Sequence, residues 1–128
     1  MNTADGVWNR ALDYDADLVM AGDVALRDVV TLHGSVMNGG LTDALQSYES
    51  DEEFPLDRVI AGYEYLGFAE VAALIASARP RVTEAASDPD ACEELELTLD
   101  PQYDLEDEDL TRALRLRLEA APGDFAPV

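Results

Sequence analysis

Apolar residues recur along this chain at three- and four-residue intervals, and no stretch alternates cleanly enough to read as a strand. A first helix is predicted from about Asp5 to Tyr14, with Trp8 and Leu12 on one face. A second opens near Asp23, a residue type suited to the N-cap, and carries Leu26, Val29, Val30, Val36 and Met37 as its stripe. Asn38-Gly39-Gly40 stops it, because Asn and Gly accept the left-handed backbone that ends helices. A short helix follows from about Leu41 to Tyr48, then an acidic loop from Glu49 to Glu53. Pro55 suits the first turn of a fourth helix, whose stripe is Leu56, Val59, Ile60, Tyr63 and Leu66 and whose end is Gly67. Phe68 starts a fifth, through Val71, Ala72, Ile75 and Ala78, which Pro80 closes. Asp88-Pro89 forms an N-cap and N1 pair for a sixth helix, with Cys92, Leu95 and Leu99 inward and Pro101 at its end. The last helix runs from about Asp107 to Ala121 on Leu110, Leu114 and Leu118. Pro122-Gly123 stops it, which leaves Phe125 placed to fold back onto the core.

The pattern predicts an all-α fold, with about six or seven helices in one compact domain over residues 1–128. The length is that of one domain, and a hydrophobic content of 48% supports one real core. No apolar run approaches the ~20 residues that span a bilayer. The opening MNTADGVWNR lacks a basic stretch followed by an apolar one, so a soluble, cytoplasmic protein is expected. The single cysteine, Cys92, cannot form an internal disulfide.

Charge changes the picture most. The chain has 28 acidic residues against 8 basic ones, a formal net charge of −20, and every basic residue is Arg. Such a surface repels nucleic acid and anionic membrane and attracts basic proteins. Between Arg81 and Arg112 there are twelve acids and no base. Asp107, Glu108 and Asp109 suit the positive end of the last helix, and Glu108–Arg112 and Arg115–Glu119 have the i,i+4 spacing of ion pairs. Glu93, Glu94, Glu96 and Asp100 have no local cation.

Candidate chemistry is sparse. His33 is the lone histidine and lies on the apolar stripe of the second helix, the usual place of a hydrogen-bonded core residue. Cys92 reads as a small hydrophobe. Asp13, Asp15 and Asp17 resemble the opening of a calcium loop, but Leu18 and Val24 occupy the positions that need Gly and an acid. Asn38-Gly39-Gly40 follows a helix and lacks a lysine, so it is no phosphate loop. No catalytic, metal or cofactor site is therefore expected. The acidic run admits a sharper reading. Carboxylates at i+3 or i+4 on a helix lie about 5–6 Å apart, and duplex DNA carries a charge every ~3.4 Å per strand. Rows of acids on adjacent helices approximate a phosphate track.

Three stretches carry a family resemblance. They are Val36-Met37-Asn38-Gly39-Gly40-Leu41, the helix–Gly–helix step from Ile60 to Ala69, and Leu99-Asp100-Pro101-Gln102-Tyr103 with the later Ala121-Pro122-Gly123-Asp124-Phe125. Together they make residues from about 20 to 126 resemble the nineteen-kilodalton DNA-mimic protein family. The resemblance implies an all-α fold, no catalysis, and an acidic surface that a DNA-binding protein grips in place of DNA. The expected partner is thus a basic DNA-binding protein such as a transcriptional regulator, or another basic protein, with no direct binding of nucleic acid or membrane. A homodimer is compatible with the sequence. The acids expected to carry binding are Glu93, Glu94, Glu96, Asp100, Asp104, Glu106 and Asp107, with a second cluster at Glu49, Asp51, Glu52 and Glu53. An immunity-type protein that neutralises a basic toxin would use the same electrostatics. A salt-adapted domain of unknown function would spread its acids evenly instead.

Overall fold

The computed structural model describes residues 2–128 and contains seven α-helices, with no strand among those residues. They are α1 (Thr3–Leu12), α2 (Ala21–Gly39), α3 (Leu41–Tyr48), α4 (Leu56–Tyr65), α5 (Ala69–Ala85), α6 (Pro89–Leu99) and α7 (Asp107–Ala120). Short 3-10 turns follow α6 (Asp100–Gln102) and α7 (Pro122–Asp124).

The long α2 is the centre of the molecule, packing on α1, α3 and α4. Its stripe of Leu26, Val29, Val30, Leu32 and Val36 is buried. It meets α4 closely at Gly62, where a Cβ would stand only 3.1 Å from the Ala25 carbonyl oxygen. On the other side of α4, α5 packs against it, and α3, α5 and α6 contact one another. Helix α7 returns to α1, and Phe125 folds onto the core with 5% exposure. One apolar cluster runs from Val7 to Phe125.

The helix stops lie where glycine and proline place them, with instructive exceptions. Asn2 caps α1 through its Oδ1, so the helix is shifted towards the N-terminus. Its inner face is therefore Val7 and Ala11, Trp8 is half-buried, and Leu12 is half-exposed. Asp23 is not the cap of α2. It lies in the first turn and is buried, accepting hydrogen bonds from Arg10 and from the backbone N–H of Ala126 at 2.8 Å each. Met37 turns out to solvent at 50% exposure, although its neighbour Val36 is buried. Pro55 caps α4 instead of entering it. Ile60, Cys92 and Leu118 are half-buried at the margin of the core.

The clearest departure is Pro80. It does not end α5 but sits inside it, exposed, and the helix continues to bury Val82 and Ala85. A proline costs a helix one hydrogen bond and a steric clash, and burial of two more apolar residues offsets that cost. Arg112 pairs with Asp109 at i,i+3 rather than with Glu108, and Arg115 makes no ion pair to Glu119 among the described residues. No helix is long and apolar enough to cross a membrane among the described residues.

Candidate protein-interaction surface

The side chain of Asp88 caps α6 by accepting from the N–H groups of Asp90 and Ala91, and Pro89 takes the first helical position. Leu95 and Leu99 are then drawn into the core and Ala91 and Cys92 to its margin. Helical geometry turns Glu93, Glu94, Glu96 and Leu97 outward, all exposed. None of these three glutamates has an ion-pair partner among the described residues, and six of the eight arginines are engaged elsewhere. Arg10 holds Asp23, Arg58 holds Asp28, Arg79 bridges Glu49 and Asp57, and Arg117 meets Asp124. Arg27 donates to the carbonyl oxygens of Arg10, Ala11, Asp13 and Ala16, which fastens the segment after α1. Among the described residues Arg81 makes no ion pair, but it lines the groove between α5 and α6 with Glu84, Asp88 and Glu94.

The remaining acids expected to bind a partner are placed differently. Asp100 is bound internally: its Oδ1 accepts from the backbone N–H and the hydroxyl of Thr42, both at 2.9 Å. Gly40, at the N-cap of α3, has no side chain to do this, and its positive φ of 91° and proximity to Asp100 admit no Cβ. Asp104 is exposed beside the start of α5. Glu106 is exposed, and its backbone N–H donates to Asp109 Oδ2 at 2.9 Å. Asp107 is exposed as well, but its Oδ1 accepts from His33 Nε2 at 2.9 Å.

In the second cluster, Glu49 is paired with Arg79 at 3.3 Å and Asp51 accepts from the Glu53 N–H at 3.0 Å. Glu52 and Glu53 are exposed. This cluster approaches α6 through Glu84, which lines both the groove beside Glu49 and the groove beside Glu94. Asp107 opens instead onto a hollow shared with His33, Gly34 and Met37.

His33 is a buried, hydrogen-bonded residue at 3% exposure, as its position on the stripe suggested. Its Nδ1 meets the Tyr103 hydroxyl at 2.8 Å, and that hydroxyl meets the Tyr63 hydroxyl at 2.8 Å. Burial pushes both phenols well above their ordinary range, so both remain protonated. Sequence reasoning missed this chain of groups. Its only local signal was a histidine and a tyrosine on apolar stripes, which says nothing about mutual contact. Cys92 donates to the Ala85 carbonyl and receives the Gln46 amide. The Asp13–Asp17 segment is an Arg27-fastened turn, and among the described residues no group of three or more His, Cys, Asp or Glu is disposed to hold a metal ion.

A family model described as DMP19-like protein matches residues 23–121. No curated protein and no solved structure matches the chain.

Proposed function

The chain belongs to the DMP19-like protein family, and from that premise we propose that it is a non-catalytic interaction protein whose acidic surface stands in for DNA on a basic DNA-binding protein. The observation that carries this reading is the distribution of the arginines. Six of the eight are tied to partners inside the molecule, and among the described residues none is paired with Glu93, Glu94 or Glu96. Glu93, Glu94 and Glu96 therefore present carboxylates at the surface, Glu93 and Glu96 at the i,i+3 spacing that sets helical neighbours about 5–6 Å apart and Glu94 towards the groove it shares with Arg81. A DNA-binding protein takes much of its affinity from sequence-independent electrostatics, so such carboxylates compete for the same contacts. On this reading the exposed Asp51, Glu52 and Glu53 are a second patch, which approaches α6 through Glu84, while Asp104 lies beside the start of α5 and Glu106 and Asp107 beside the hollow at His33.

The test is competition. A partner captured at low salt from the native extract is mixed with its own DNA and with this protein, either wild type or carrying Glu93→Gln, Glu94→Gln and Glu96→Gln. Wild type should displace the DNA, the complex should weaken steeply with salt, and the triple variant should compete worse, chiefly through slower association. A ternary complex with DNA still bound would reject mimicry. Equal competition by both proteins would move the interface away from α6.

A further inference from the structure

The buried chain Tyr63–Tyr103–His33–Asp107 has only one way to satisfy its protons. Asp107, as a carboxylate, can only accept, so His33 Nε2 must be the nitrogen that donates to it. A neutral imidazole has one donor and one acceptor, so Nδ1 must accept, and the Tyr103 hydroxyl must give it its proton. Tyr103 oxygen is then free to accept from Tyr63, whose hydroxyl has no other partner among the described residues. Every proton is placed, and the direction runs from α4 to α7. A second proton on the imidazole puts two donors face to face, Nδ1–H and the Tyr103 O–H. Tyr103 must turn to donate to Tyr63, and the Tyr63 proton is left without an acceptor at a residue with 0% exposure.

We infer that His33 is a pH-sensitive latch on the segment that leads into α7. The neutral imidazole closes the hydrogen-bond chain, and protonation opens it at its tyrosine end. The segment from residue 103 to 106 has no helix of its own, and Tyr103 and Leu105 are its buried anchors. It is the part of the site able to yield. The groups around the imidazole are Asp107 and Glu108 from α7, Glu106 and Tyr103 from the segment before it, and, through the Tyr103 hydroxyl, Tyr63 from α4, while its own helix contributes Gly34 and Met37 to the hollow. Protonation leaves the Nε2–H donating to Asp107. Acid therefore loosens Tyr103 while α7 stays attached through Asp107. This latch does not depend on the identity of any partner.

Nitrogen NMR of the wild-type protein tests it directly. At neutral pH the His33 ring should show the proton on Nε2. On acidification, exchange of the Tyr103 amide, which donates to the Asp100 carbonyl at 3.2 Å, should accelerate by about tenfold after correction for intrinsic chemistry, with the midpoint of the imidazole. The step should vanish in His33→Gln, which cannot titrate. A proton on Nδ1 at neutral pH would overturn the latch without any variant. So would an imidazole that titrates with Tyr103 unmoved, one that stays neutral until the protein unfolds, or the same step in His33→Gln.

Discussion

Asp23 and Asp28 are the two carboxylates that this acidic chain buries, at 1% and 2% exposure. Asp23 ties α1 to the last residues of the chain, since Arg10 donates both to it and to the carbonyl oxygens of Ala126 and Pro127. Removing Asp23 leaves the Ala126 N–H without its acceptor and Arg10, partly exposed, with only the two carbonyls, so Asp23→Ala should cost about 1–3 kcal/mol in a denaturant titration. A loss below about 1 kcal/mol would mean that the tail is not anchored there. Asp28 shows a different balance. Burial pushes its carboxyl above the ordinary range, and the bidentate Arg58 guanidinium only partly opposes this. A raised carboxyl binds more protons in the native state than in the unfolded one between its ordinary and its raised value. Its contribution to stability is therefore gained on acidification and lost as pH rises through that window. The stability of wild type relative to Asp28→Asn should accordingly grow as pH falls, and thermal unfolding across that range measures it. Neither pairing was legible in the sequence, because the partners lie 13 and 30 positions apart with no spacing that marks them.

At the scale of elements, Pro80 and Asp100 show how packing overrides local rules. Pro80 reads as a helix stop, yet α5 passes through it because Val82 and Ala85 have core to enter. Pro80 is exposed, so Pro80→Ala should restore a helical hydrogen bond and stabilise the protein by about 1–3 kcal/mol. Calorimetry or a denaturant titration will read the gain, and a loss would assign the proline a packing role. Asp100 reads as a free acid, but it serves as the missing cap of α3 from 58 residues away. Asp100→Ala should cost about 0.5–2 kcal/mol, the usual worth of a cap. Gly40→Ala should cost more, since its Cβ would stand 2.3 Å from Asp100 Oδ2 on a left-handed backbone. If the Asp100 variant were as stable as wild type, Thr42 would have found water instead.

For the whole molecule, the net charge of −20 sets one further expectation. Self-repulsion strains the native state, so Tm should rise with added sodium chloride, and less so in the Glu93, Glu94 and Glu96 triple Gln variant. A relief of about 1 kcal/mol corresponds to roughly 4 °C in a domain of this size. A flat response in wild type would show that the charges lie too far apart to strain the fold. The sequence by itself determined the all-α architecture, the approximate limits of α3 and where α2, α4 and α7 stop. These depend on periodicity, caps and glycine backbones, which act over one or two turns of the same chain. Only the tertiary structure decided which acids are free. Glu93, Glu94 and Glu96 stay open, whereas Asp100, Asp107 and Glu49 are engaged by Thr42, His33 and Arg79. It also decided that His33, Tyr103 and Tyr63 meet. The physical reason is that these contacts join residues 30 to 74 positions apart, so they exist only once α2, α4 and α7 have packed around one core.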